Sequence, residues 1–222
     1  MLVERSMHPD WLSNAFVVAD AEGGTALFVD SGADVAPLVA AAERWGARPA
    51  ALLRTHSHHD HVVHEAELAR RYGIEVVAEP GEWSFGGLHV RGVATPGHSD
   101  DMVAFFVEGS VFTGDTLFKD AVGGGDLGQV RASVMDVFMA LPDETRVLPG
   151  HTDETTIGRE RAENPFVRVW SGAEPEGTER VRVGGRDATL VVWSPDYDGK
   201  GKAWVRFDDG GDAIVGGSRV ER

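Results

Sequence analysis

The chain has 222 residues, no cysteine, and 36 acidic against 21 basic side chains, a formal net charge of -15 with the histidines neutral. That length holds one large core plus something small, the missing cysteines exclude disulfides and thiolate metal ligands, and the acidic excess repels phosphate backbones, so no nucleic-acid partner is expected. No apolar run is long enough to span a bilayer, and Met1-Leu2-Val3-Glu4-Arg5 leads into a polar stretch instead of a signal-peptide core, so a cytoplasmic protein without a membrane partner is expected.

In chain order, residues 1–30 hold three short strand-like runs, of which Ala15-Phe16-Val17-Val18 and Ala26-Leu27-Phe28-Val29 are the clearest, separated by a turn at Glu22-Gly23-Gly24. Asp34 to Trp45 reads as a helix, with Leu38, Ala41, Ala42 and Trp45 at helical spacing and Gly46 ending it. A strand at Leu52-Leu53 is followed by a second helix from Val62 to Tyr72. Strands are then expected at Glu75–Ala78, Leu88–Val90, Val103–Val107 and Val111-Phe112, and helices at Ser133–Leu141 and Ile157–Ala162. Interleaved strands and helices suit a layered α/β arrangement.

The composition shifts after Trp170. Residues 171–177, Ser-Gly-Ala-Glu-Pro-Glu-Gly, read as a linker, and 178–222 lack any helical period. Four β runs there, around Val181–Val183, Thr189–Trp193, Ala203–Phe207 and Ala213–Val215, predict a small all-β appendage. It is near the lower size limit for folding alone, so docking onto the larger domain or onto another copy in a homo-oligomer is its expected use.

The chemistry concentrates in Thr55-His56-Ser57-His58-His59-Asp60-His61, which packs four metal-ligating side chains into six positions. His56 and His58 leave the end of an apolar run together, and Asp60 and His61 start the next helix, which points to two adjacent metal positions. Two metals need about seven or eight ligating contacts, so three more ligands are sought. His98 in Pro96-Gly97-His98, Asp115 in Thr113-Gly114-Asp115 and His151 in Pro149-Gly150-His151 each follow a short apolar run and a glycine, which permits a tight turn at a strand end. A lone histidine in such a loop is usually a solvated side chain; the joint occurrence overrides that reading. His59 and His64 read as solvated side chains, and His8 and His89 carry no assignment.

These motifs in this order resemble the metallo-β-lactamase superfamily and, within it, the glyoxalase II-like (hydroxyacylglutathione hydrolase-like) branch. The resemblance covers roughly Leu2 to Trp170. It includes Thr113–Phe118, Leu141-Pro142-Asp143-Glu144-Thr145 and the segment from Thr155 through Asn164-Pro165-Phe166. It implies an αββα sandwich over 1–170, with linker 171–177 and the all-β appendage 178–222 outside the usual pattern. It also implies that His56, His58 and His98 hold a first metal, that Asp60, His61 and His151 hold a second, and that Asp115 bridges both. Zinc is the expected metal, with iron or manganese as alternatives.

A pair bridged at roughly 3.5–4 Å acidifies a shared water towards neutral pH and takes up charge on the leaving atom, with Asp60 and Asp115 as the catalytic carboxylates. The expected function is therefore a dinuclear metal-dependent hydrolase cleaving thioesters of small acyl-thiol conjugates. The alternatives are a mononuclear iron persulfide dioxygenase using His56, His98 and Asp115, and a lactonase or other hydrolase of the same fold. Two positions bear on the choice. Phe118 stands where similar lactonases place a tyrosine, and Gly124 in Val122-Gly123-Gly124-Gly125-Asp126 stands where glyoxalase II-like enzymes and persulfide dioxygenases carry an arginine.

Overall fold

The computed structural model describes residues 1–222. It divides into two compact units, one made of 1–94, 101–114 and 148–152 and the other of 95–100, 115–147 and 153–222. No helix is long and apolar enough to cross a membrane.

In the first unit, β1 (Leu2–Met7), β2 (Asn14–Ala19), β3 (Thr25–Val29), β4 (Arg48–Leu53) and β5 (Glu75–Val77) form a sheet in that order. The β1-β2 and β2-β3 pairs are antiparallel, whereas β3-β4 and β4-β5 are parallel. Parallel neighbours need long crossovers, supplied by α1 (Ala36–Trp45) and by α2 (His59–Val62) with α3 (Glu65–Tyr72). A second sheet includes the antiparallel run β6 (Gly81–Phe85), β7 (Leu88–Ala94), β8 (Val103–Val107) and β9 (Ser110–Gly114).

The buried strands read as unbroken apolar runs because both of their faces are covered. Ala15, Val17, Ala19, Ala26, Phe28 and Leu52 pack with Leu38, Val39, Ala41 and Ala42 of α1 and Leu68 of α3. The alternate residues Phe16, Val18, Leu27, Val29, Ala51 and Leu53 pack with Val90, Phe105 and Phe112 of the second sheet. Helix, sheet and sheet are thus stacked as layers through this unit. Each fully buried aromatic or aliphatic side chain contributes about 1.5–3 kcal/mol of transfer free energy.

The helix expected over Val62–Tyr72 is instead two pieces, α2 and α3. The Ser31 N–H donates to His61 O at 2.8 Å and the Ser31 carbonyl accepts the His64 N–H at 3.0 Å, so the chain after β3 inserts into the helical ladder. Only a residue without Cβ fits at Gly32, where a Cβ would lie 1.5 Å from the Asp60 carbonyl oxygen. Strand β6 was not anticipated, since its half-exposed edge position leaves little apolar pattern.

In the second unit, α4 (Leu127–Ala132) runs directly into a π-helical turn, Ser133–Phe138, where one helix over Ser133–Leu141 was expected. The first residues of β10 (Arg146–Pro149) pair with β11 (Thr155–Thr156), followed by α5 (Ile157–Glu163) and α6 (Pro165–Trp170). Then β12 (Glu179–Val183), β13 (Arg186–Ser194), β14 (Lys202–Phe207), β15 (Asp212–Gly216) and the short β16 (Val220–Glu221) form a third sheet, ordered β15-β14-β13-β12-β16. Its own core is Val181, Val183, Ala188, Leu190, Ala203, Val205 and Val215.

Candidate metal centre

Five of the seven residues singled out from the sequence, His56, His58, Asp60, His61 and His151, belong to the first unit, and His98 and Asp115 to the second. In the first unit, β4 ends at Leu53 and the chain turns outward through His56 and His58, whose rings lie edge to face at 4.7 Å. The Ser57 N–H donates to Asp101 Oδ2 at 2.9 Å, which holds this turn. His56 and His61 are buried, with ring centroids 4.3 Å apart, and His58 is exposed.

Asp60, His61 and His151 each direct one donor atom into a common space, all within 4.8 Å of one another. Asp60 Oδ2 lies 3.6 Å from His61 Nε2 and 3.5 Å from His151 Nε2. These separations are long for hydrogen bonds. They match the edge of a ligand tetrahedron, about 3.4 Å for metal–ligand bonds of about 2.1 Å. The donors are imidazole nitrogens and a carboxylate oxygen, a set that suits a divalent transition metal.

The residue the sequence reading missed is Asp30, at the end of β3. It is buried, and its Oδ2 lies 3.0 Å from His61 Nδ1. The same carboxylate accepts the Thr55 N–H and hydroxyl, both at 2.8 Å. Thr55 Oγ1 is in turn 3.1 Å from His56 Nδ1. One buried aspartate thereby fixes the ring of His61 directly and that of His56 through a hydroxyl, so that in each neutral ring Nδ1 carries the proton and Nε2 is the nitrogen that could take a metal. A single aspartate after a strand carries no local pattern by which sequence alone could find it.

His151 is placed by Asn14 on β2. The Asn14 N–H donates to Gly150 O at 2.7 Å, and its Nδ2 donates to the carbonyls of Pro149 and Thr152 at 2.9 and 2.8 Å. The glycines expected at the turns before these residues use two kinds of backbone. Gly97 and Gly114 have φ of 135° and 48°, while Gly150 does not adopt a positive φ. A Cβ at Gly114 would lie 2.7 Å from Thr55 Oγ1.

In the second unit, His98 Nε2 lies 3.5 Å from Asp115 Oδ2, again a ligand-edge spacing. The His98 Nδ1–H donates to the Gly124 carbonyl at 2.9 Å. Gly123 presses on Asp115, with a Cβ there falling 1.8 Å from the Asp115 carbonyl oxygen. The segment through Asn164 buttresses the loop beyond Asp115. Buried Glu160 accepts the Asp120 N–H at 2.8 Å and the Thr155 hydroxyl at 2.6 Å, and Asn164 Nδ2 donates to Ala121 O at 3.1 Å.

The remaining histidines lie outside this group. His59 meets Trp11 edge to face at 5.3 Å, His8 stacks on Trp11 at 4.1 Å, His64 faces Glu67 and His89 contacts Ser84. Phe118 is buried.

No family model matches the chain. It is 30% identical over 167 residues to the probable metallo-hydrolase YqgX of Bacillus subtilis, covering 57% of this chain and 79% of the relative. It is 31% identical over 199 residues to a hydroxyacylglutathione hydrolase of Chromohalobacter salexigens, covering 64% and 77%. Among solved structures it superposes on the B3 metallo-β-lactamase BLEG-1 with TM-score 0.69 at 25% identity, covering 75% of this chain and 99% of that one. TTHA1623 in a di-iron-bound form gives TM-score 0.61 at 30% identity, covering 72% and 98%.

Proposed function

Given that the chain belongs to the metallo-β-lactamase superfamily of metal-dependent hydrolases, we propose that it is a dinuclear enzyme cleaving thioesters of small acyl-thiol conjugates. In this reading His56, His58 and His98 would hold one metal and Asp60, His61 and His151 the other, with Asp115 available to both. The bound metals supply an acidified water and a positive site for the leaving thiolate. The chain's own residues do the rest. Asp30 and the Gly124 carbonyl accept the Nδ1–H of His61 and His98, so that in the neutral ring Nε2 carries the lone pair that would face a metal. Asp60 is the carboxylate reachable from solvent, 29% exposed against 8% for Asp115, so it is the group that meets substrate and water.

The observation that carries hydrolysis over a mononuclear iron chemistry is the Asp60, His61 and His151 cluster, which a metal on His56, His98 and Asp115 alone leaves without a task. The hydroxyacylglutathione hydrolase relative supports the thioester class, and the di-iron neighbour supports two metals while leaving zinc to be measured. Gly124 in place of an arginine removes one cation for a glutathione carboxylate, which favours a smaller thiol carrier. The test is thiol release from a panel of acyl thioesters by zinc-, manganese- and iron-loaded protein, beside oxygen uptake on glutathione persulfide. Thioester turnover without oxygen uptake is expected; rapid iron-dependent oxygen consumption with no thioester turnover establishes the dioxygenase instead.

A further inference from the structure

Edge strand β15 of the C-terminal sheet does not end in solvent along its whole length. Ile214 forms an antiparallel bridge with Gly125, in the loop that follows Asp115. The other side of that loop is equally confined: a Cβ at Gly125 would fall 2.0 Å from the Gly97 carbonyl oxygen, and the Asp126 N–H donates to that same oxygen at 2.9 Å. Between bridge and turn sits Gly124, whose carbonyl accepts the His98 Nδ1–H. The Cα of Gly124 faces the strand, a Cβ there meeting the Ile214 carbonyl oxygen at 3.8 Å.

Two further contacts fasten the same sheet nearby. Tyr197 lies edge-on to Phe118 at 5.8 Å, and the Lys202 ammonium, paired with Asp196 at 2.9 Å, sits 5.6 Å from the Tyr197 ring. Trp204 lies 6.5 Å from Trp170.

We propose that the C-terminal β module is a positioning element of the metal centre: β15 clamps residues 124–125 so that the Gly124 carbonyl holds His98 with Nε2 directed at Asp115. A Cβ at 124 would meet the strand only at ordinary van der Waals distance, so it is the backbone of 124–125, between β15 and the Gly97 turn, that is confined. A carbonyl whose next residue is bridged to a sheet edge is held more rigidly than one in an open loop, and backbone acceptors of this kind set both the tautomer and the orientation of a ligating imidazole. An unpaired edge is otherwise an aggregation hazard, which the bridge also blunts. The inference rests on His98 being a metal ligand.

The test uses the full chain as Ile214→Ala, Gly124→Arg and, as a control on the module's exposed loop, Lys200→Ala. With the histidines 15N-labelled, and the His98 signal assigned by its absence in His98→Ala, the metal-free parent is expected to show His98 in the Nδ1–H form. Ile214→Ala and Gly124→Arg are expected to shift His98 towards the Nε2–H form and to weaken metal binding about 10–100-fold in chelator competition, while Lys200→Ala matches the parent. Near-ultraviolet circular dichroism identifies a misfolded variant, in which case the milder Ile214→Ala decides. Folded variants that keep the Nδ1–H form and the parent affinity overturn the clamp. A parent that binds no metal, with the tautomer shift still seen in the variants, upholds the clamp and overturns the metal reading instead.

Discussion

Asp30 Oδ2 and His61 Nδ1 lie 3.0 Å apart, both buried, at the junction of β3 with the histidine-rich turn. The contact ties the end of an interior strand to a histidine of the candidate metal centre. Because Asp30 also accepts two hydrogen bonds from Thr55, its removal acts on the fold and on the ligand at once.

Asp30→Ala leaves the buried Thr55 N–H without its acceptor, which costs about 1–3 kcal/mol. It also frees the His61 ring, which is expected to weaken metal binding about 10–100-fold. Thermal melting of metal-free protein measures the first effect and chelator competition the second. Parent-like metal affinity in the variant would remove Asp30 from the centre.

Metal content follows from the same ligand set. The protein is expected to retain about two divalent ions per chain after zinc loading and dialysis. Asp115→Ala is expected to lower the occupancy of both positions, and His151→Ala mainly of one. Elemental analysis showing a single tightly held ion in the parent would contradict the dinuclear assignment.

Asp60 is more exposed than the other carboxylates of the centre and sits on the short α2, so its contribution to packing is small. Asp60→Ala is expected to lose most thioester hydrolysis, at least 100-fold, with an unchanged circular dichroism spectrum. Hydrolysis at the parent rate in a properly folded variant refutes the proposed role.

The histidines and carboxylates of the candidate centre were legible in the sequence because they are chemically conspicuous and sit at strand ends marked by apolar runs. The two-faced strands were legible for a related reason: Ala15–Val18 and Ala26–Val29 are unbroken apolar runs. What escaped was non-local. Asp30 is one acidic residue among 36, identified only by a partner 31 positions away. The break between α2 and α3 arises from Ser31, in another segment, and helical periodicity does not register such an insertion. Gly150 follows the same Gly-ligand pattern as Gly97 and Gly114, yet its backbone is fixed by the Asn14 N–H and the Gly114 carbonyl instead of by a left-handed turn. Glycine in a turn permits a positive φ without requiring it.

Asp20 provides a pH-dependent test of how the first unit is fastened. Its Oδ1 accepts the N–H groups of Ala21 and Thr25, and its Oδ2 accepts the Gly87 N–H from the β6–β7 turn at 2.8 Å, linking the turns of the two sheets. These donors, Gly87 first and Thr25 next, hold the carboxyl below its ordinary pKa because they stabilise the ionised form. A carboxylate whose pKa is depressed on folding contributes stability that is fully present above the unfolded value, about 3.9, and is lost as pH falls through the lower folded value. Asp20→Asn replaces one acceptor oxygen with an amide NH2 that meets N–H groups. It is therefore expected to melt a few degrees lower than the parent at pH 7, with the gap narrowing as pH drops below about 4. The comparison is made on metal-free protein, so that loss of metal at low pH does not enter. A gap that stays constant from pH 7 down to the acid limit of folding would show that Asp20 acts through turn geometry alone and not through its charge.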